Sequence, residues 1–201
     1  MHKALAEAIG EVELELEAGW IRLGVTVDAC MLALEHGAAL RQLMESGLES
    51  SAVGLLRIQF EALLRAAWLR YSARDSDVEA IAAPLTVQTS KAAKSLPLTG
   101  VMLADVEKAE HAPPSLKLAL REFKDSSWEA LNSYVHSGIY PIQQVGIGHQ
   151  EQMLLGTLRA SNALCYATSM LLTGEAGYPD RQNDINVVVT AFSDCMPVHR
   201  G

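Results

Sequence analysis

Residues 51–73, SAVGLLRIQFEALLRAAWLRYSA, set apolar side chains around most of a helical circumference and interrupt them at Arg57, Glu61 and Arg65. A helix that is apolar nearly all round is stable in water only when other elements cover it. This segment is therefore expected to be the central helix of a bundle, with Leu56, Phe60, Leu64 and Trp68 in the core. Ser50 or Ser51 is the candidate N-cap.

Working outward, the flanking segments also repeat with the period of a helix. Leu5, Ile9, Val12, Leu16 and Trp20 recur every three or four residues, with Glu7, Glu11, Glu13, Glu15 and Glu17 on the other faces, the pattern of an amphipathic outer helix. Val27, Cys30, Met31, Leu34, Leu40, Leu43 and Met44 mark a second helix, ending at Gly47 as C-terminal cap. Residues 75–100 read as two short helices broken at Pro84 and Pro97. A short helix over VMLADVEKAE precedes Pro113 and Pro114, which open a longer one, with a candidate kink near Asp125 to Ser127 and an end at Gly138 and Pro141. A long helix over about 150–172 and a last one over about 184–195 complete the chain, the latter holding the VVV run, its one strand-like piece. The expected fold is all-α: one domain over residues 1–201, a bundle of about six to eight helices with its core in about 20–175.

Composition narrows the function classes. With 201 residues and 49% hydrophobic content the chain can bury a core without disulfide or metal staples. Sixteen Lys and Arg against 24 Asp and Glu give a formal charge of −8, so any nucleic-acid contact must be local. The basic residues do cluster: residues 57–74 carry Arg57, Arg65, Arg70 and Arg74 against Glu61 alone. Cys30, Cys165 and Cys195 are odd in number and lack CxxC spacing, which argues for reduced thiols. Neither an export signal nor a membrane span is recognisable, and a cytoplasmic location is expected. The chain has no Gly-Lys pair, GxGxxG, HExxH or GxSxG, and no histidine with a glutamate three residues before it. Phosphate-loop, dinucleotide and di-iron carboxylate chemistry are thus disfavoured, and neither a metal nor another cofactor is expected.

Two constellations remain. Arg57, Glu61 and Arg65 stand at i, i+4, i+8, one polar line along the apolar helix. Facing solvent, it is an ion-pair ladder contributing about 0.2–0.5 kcal/mol per pair. Facing a cleft, it is a semi-buried stripe with one guanidinium left over for a phosphate or carboxylate. In the second constellation, WEALNSYVHSGIYP, Asn132 and His136 lie four apart on one face, with His136 in the last helical turn. That position suits proton transfer, and it equally suits a histidine that caps a helix. Since buried polar groups need partners, the two sets are expected to face one another across packed helices.

The pentapeptide Asn132-Ser133-Tyr134-Val135-His136 resembles the Arg-Asn-x-x-x-His motif of HEPN domains, helical bundles of prokaryotic toxins and phage-defence proteins. LLRIQFEALLRAAWL is similar to the Arg/Glu-bearing helix of bacterial relatives of that group. Asn132 matches the motif's asparagine and His136 its histidine, whereas Leu131 stands in place of the catalytic arginine and Gly138 in place of the tyrosine on which some HEPN toxins are modified. The resemblance implies metal-independent RNA cleavage through the substrate 2'-hydroxyl, with His136 as acid or base and Asn132 orienting the phosphate or imidazole. Arg57, or Arg65, is assigned the missing cation from the packed helix, a substitution that departs from the family pattern. Arg65, Glu61 and Tyr140 are then the candidate substrate contacts. The resemblance further implies a homodimer, with RNA and an antitoxin or defence-system protein as partners and no membrane association. The alternative is a noncatalytic interaction or sensor module of the same fold.

Overall fold

The computed structural model describes residues 1–10, 20–84, 86–87, 89 and 96–197. Among these the chain forms nine α-helices and a terminal 3-10 turn, with no strand. They are α1 (His2–Ile9), α2 (Ile21–Glu45), α3 (Glu49–Tyr71), α4 (Asp75–Ala82), α5 (Thr99–Lys108), α6 (Pro114–Val135), α7 (Ile139–Ile147), α8 (Glu151–Glu175) and α9 (Pro179–Ala191), with the 3-10 turn at Ser193–Cys195.

The expected central helix is α3. It packs on α2, α5, α6 and α8, and Leu56, Phe60, Leu64 and Trp68 are all buried. Helices α2 and α3 form a tight hairpin. Gly47 closes it with φ +70, and the amides of Gly47 and Leu48 donate to the carbonyls of Met44 and Leu43 at 3.2 and 2.9 Å, so the last carbonyls of α2 are satisfied within three residues. Helix α2 is long and apolar enough to cross a membrane by length and composition, but it packs against α3, α4 and α8, as core helices do.

The structure exceeds the expected helix count because Pro141, expected to help end one helix, lies inside the next. Pro141 lies in the first turn of α7 and Pro179 opens α9, positions where a missing N–H costs nothing. Helix α7 is thus an additional element, and α9 starts before residue 184. The VVV run is helical within α9. Helix α6 runs without a break through residues 125–127, where the Ser126 hydroxyl donates back to the Glu122 carbonyl at 2.7 Å. Neither Ser50 nor Ser51 caps α3: its N-cap is Leu48, and Ser50 is used elsewhere. Leu5 and Ile9 are buried as the first stripe requires, but α1 ends at Gly10, whose φ is +62. The rest of that stripe, residues 11–19, and most of the second short helix expected before Pro97 lie outside the described residues, while Trp20 is exposed at the start of α2.

A buried polar seam joins α2, α3 and α8. Gln59 donates to the Ser161 carbonyl at 3.1 Å and accepts from the Ser161 hydroxyl at 2.8 Å, while Arg41 donates to the Gly37 carbonyl and to Asn162 at 2.8 Å. The helices meet so closely at Gly37 that a Cβ there would lie 2.7 Å from Cys165 Sγ and 2.8 Å from Gln59 Nε2. Both neighbours are buried and cannot yield. Gly37→Ala is therefore expected to cost about 1–3 kcal/mol despite alanine's higher helix propensity. Gly156→Ala, on α8 with open space around it, is expected to gain about 0.5–1 kcal/mol. Chemical denaturation of the two variants checks the opposite signs.

Candidate functional site

The arginine-bearing face of α3 turns toward α6 on one side and toward α4 and α5 on the other. Arg57 is the hub of the first side. Its Nε and Nη2 donate to Glu61 Oε1 at 3.3 and 3.1 Å, its Nη1 donates to Asn132 Oδ1, and its guanidinium lies 4.2 Å from the centre of the Trp128 ring. Glu61 Oε1 also accepts from the Thr99 hydroxyl of α5 at 3.3 Å. Side-chain exposure is 13% for Arg57 and 32% for Glu61, so the stripe is semi-buried rather than a solvent ladder. The cluster ties α3 to α5 and α6 through charge-assisted hydrogen bonds and a cation–π contact.

Trp128 and Thr99 were missing from the sequence reading. Trp128 had a legible signal: with Asn132 and His136 it stands at i, i+4, i+8 on one face of α6, and tryptophan is the strongest ring partner for a guanidinium. Thr99 offered none, because its approach to Glu61 depends on how α5 packs.

Among the expected site residues, Arg57, Glu61 and Asn132 come together. His136 does not join them. It is the exposed C-cap of α6, and no hydrogen bond, ion pair or ring contact links its imidazole to Arg57. The next residue, Ser137, has φ +52, and the Gly138 amide closes the turn by donating to the Ser133 carbonyl at 2.7 Å. Leu131, in the place of the motif's arginine, points into the core at 4% exposure. A guanidinium at that position would meet apolar surroundings rather than a cleft. Tyr140 lies on α7, its side chain exposed and its amide donating to the Ser133 hydroxyl at 3.2 Å. Arg65 lies one turn beyond Glu61, in the wall of a cleft that Glu61 and Thr99 also line. His149 has company that its sequence context did not suggest: it hydrogen-bonds the Ser50 hydroxyl at 3.0 Å and holds the end of α7 against the start of α3.

Arg57 therefore directs three of its five N–H groups to side chains of the protein and lays its guanidinium plane against the Trp128 ring. Such a guanidinium orients Asn132 and braces two helices. No cluster of three or more His, Cys, Asp or Glu side chains that could hold a metal ion forms among the described residues.

Fold and site together define an all-helical bundle protein whose central helix carries an arginine clamp beside an open cleft. The chain belongs to a family of unknown function, DUF6988, whose model matches residues 30–198 and so takes in every residue of the clamp and cleft. No curated protein and no solved structure matches the chain.

Proposed function

We propose that this protein is a noncatalytic helical interaction module that pairs with a second copy of itself through α7. The observation that carries this reading is the surface of α7. Ile139, Tyr140, Ile142, Val145 and Ile147 are 47–78% exposed on a nine-residue helix that contains no charged residue. At 100° per residue, Ile139, Ile142, Gly146 and Ile147 share the outward arc, with Pro141 buried opposite. These side chains offer roughly 500 Å² of apolar surface, the size of the largest and often functional patch on a monomer, and two such faces approach the low end of specific interfaces. Charge favours a like partner here. Each copy carries −8 overall, and two copies meeting along α7 would bring no carboxylate of that helix against another.

Sedimentation velocity over the micromolar range tests the reading. The expected result is a reversible dimer that Ile142→Asp converts to monomer with unchanged circular dichroism, because an aspartate buried in an apolar contact costs several kcal/mol. A parent monomeric at every concentration, or a dimer indifferent to Ile142→Asp, overturns it.

One observation favours the ribonuclease reading instead: Asn132 and His136 are both exposed near the end of α6, with the Asn132 amide oriented by Arg57. The same preparation should leave single-stranded RNA intact in excess EDTA. Metal-independent cleavage that yields cyclic phosphate ends and disappears in His136→Ala would replace the noncatalytic reading with the HEPN-like enzyme.

A further inference from the structure

Ser50 and His149 stand 99 residues apart in the chain and meet where the end of α7 reaches the start of α3, with His149 Nε2 3.0 Å from the Ser50 hydroxyl. Two features fix the imidazole. Gly148, with φ +86, ends α7 by donating its amide to the Gln144 carbonyl at 2.7 Å, and the His149 ring then lies 6.4 Å from the centre of the Tyr134 ring. Neither Ser50 nor His149 is buried, and Leu48, Ser51 and Gly148 around them are exposed.

The Ser50 hydroxyl differs from others on the helices. Those of Thr26, Ser126, Thr157, Ser169 and Thr173 donate to the carbonyl four residues back in their own helices. Ser50 has no such carbonyl, because Ser46 precedes α3, and among the described residues its hydroxyl meets the ring nitrogen alone. A serine hydroxyl within hydrogen-bond reach of an imidazole nitrogen is the pair that turns a weak nucleophile into a competent one.

The start of α3 adds an electrostatic component. No side chain caps this helix, and its first backbone hydrogen bond runs from the Ala52 amide to the Leu48 carbonyl at 3.0 Å. The amides of Glu49, Ser50 and Ser51 precede that bond and carry the positive end of a 23-residue helix. Negative charge developing on an oxygen beside Ser50 Oγ is favoured in that field.

Charge also decides the electrophile. Glu49 and Glu151 flank the pair in the chain, and no lysine or arginine occurs between residues 42 and 56 or between 125 and 158. A phosphoryl donor arrives with negative charge and needs cations, which neither segment supplies. An uncharged acyl donor meets no such opposition.

We propose that Ser50 is a site of covalent acylation, its hydroxyl activated by His149 toward uncharged, activated esters. With the ring proton on Nδ1, His149 Nε2 takes the hydroxyl proton as Ser50 Oγ bonds to the acyl carbon and the carbonyl electron pair moves onto its oxygen. Return of that pair breaks the bond to the leaving oxygen, which departs with the bonding electrons. His149 then gives its proton to the leaving group or to water, and the products are a Ser50 ester and a free alcohol or phenol. One acyl group per chain requires no turnover, so the inference goes beyond the pairing of α7 and does not depend on it.

Treatment of the full chain with p-nitrophenyl acetate tests the proposal, read by p-nitrophenolate release and by tandem mass spectrometry. The expected result is a burst of one acetyl group per chain, with Ser50 labelled about 100-fold or more faster than Ser51, its exposed neighbour without a histidine partner, as a positioned general base provides. His149→Gln, with unchanged circular dichroism, should lower Ser50 to the Ser51 rate, and Ser50→Ala should abolish the burst. The comparison of Ser50 with Ser51 is made in the parent and keeps the test valid if His149→Gln fails to fold. Labelling of Ser50 no faster than Ser51, or unchanged in a folded His149→Gln, overturns the proposal. Release that continues past one equivalent and is lost in Ser50→Ala supports the site and overturns instead the noncatalytic reading of the module, so the two fail separately.

Discussion

Phe60→Ala lowers the stability of the protein by about 3–5 kcal/mol, read as a shift of the denaturant midpoint at unchanged slope. The side chain is fully buried on α3, stacked on Phe123 at 4.6 Å between ring centres and meeting Trp128 edge-on at 6.1 Å. Truncation removes the transfer free energy of the ring and leaves a cavity bounded by two rigid aromatics that cannot collapse into it. Ile58→Ala, two residues away on an exposed face, is the control and should change stability by less than about 1 kcal/mol. Equal midpoints for the two variants would place α3 at the periphery of the fold and remove the basis for a semi-buried stripe. The effect also reaches the clamp, because Trp128 is both the edge partner of Phe60 and the plate under Arg57.

Arg57→Ala is the second large effect, a loss of about 2–3 kcal/mol. It leaves the Glu61 carboxylate with Thr99 as its remaining partner, strips Asn132 Oδ1 of its donor and uncovers one face of Trp128. The loss comes from the stranded, half-buried Glu61 carboxylate and the uncovered Trp128 face more than from the ion pair itself, and that origin sets the signature. Glu61→Ala alone is also destabilising, but Arg57→Ala with Glu61→Ala should fall short of the sum by about 1 kcal/mol or more, since the second change removes the group the first one stranded. Additive single and double variants would mean that the guanidinium and carboxylate do not act as a unit, despite their 3.1 Å approach.

The two variants also separate the readings of Arg57. A clamp residue shows its effect in the folding equilibrium. Here three of the five Arg57 N–H groups donate to side chains of the protein, and the side chain is 13% exposed. By contrast, one turn further along α3, the Nη1 of Arg65 has no such partner.

Helix class, the centrality of α3 and the end of α2 at Gly47 were legible from the amino-acid order alone. These are local or compositional properties: periodicity of apolar residues, a helix apolar on nearly every side, and a glycine able to take φ +70 where the chain reverses. Proline was the misleading local signal, because the same residue that ends one helix is favourable in the first turn of the next, as Pro141 shows. Spacing could align Arg57, Glu61 and Arg65 on one stripe, and Asn132 with His136 on another, but only tertiary structure decided which members met. Asn132 reaches Arg57 across 75 residues of chain, Gln59 reaches Ser161 across 102, and Thr99 enters the clamp from a helix whose own pattern names no site. The physical reason is the same in each case. A helical pattern states which face of a segment avoids water, whereas the neighbour covering that face is chosen by packing of the whole bundle. That choice buried Leu131, left His136 and the apolar face of α7 in solvent, and opened a cleft beside Arg65.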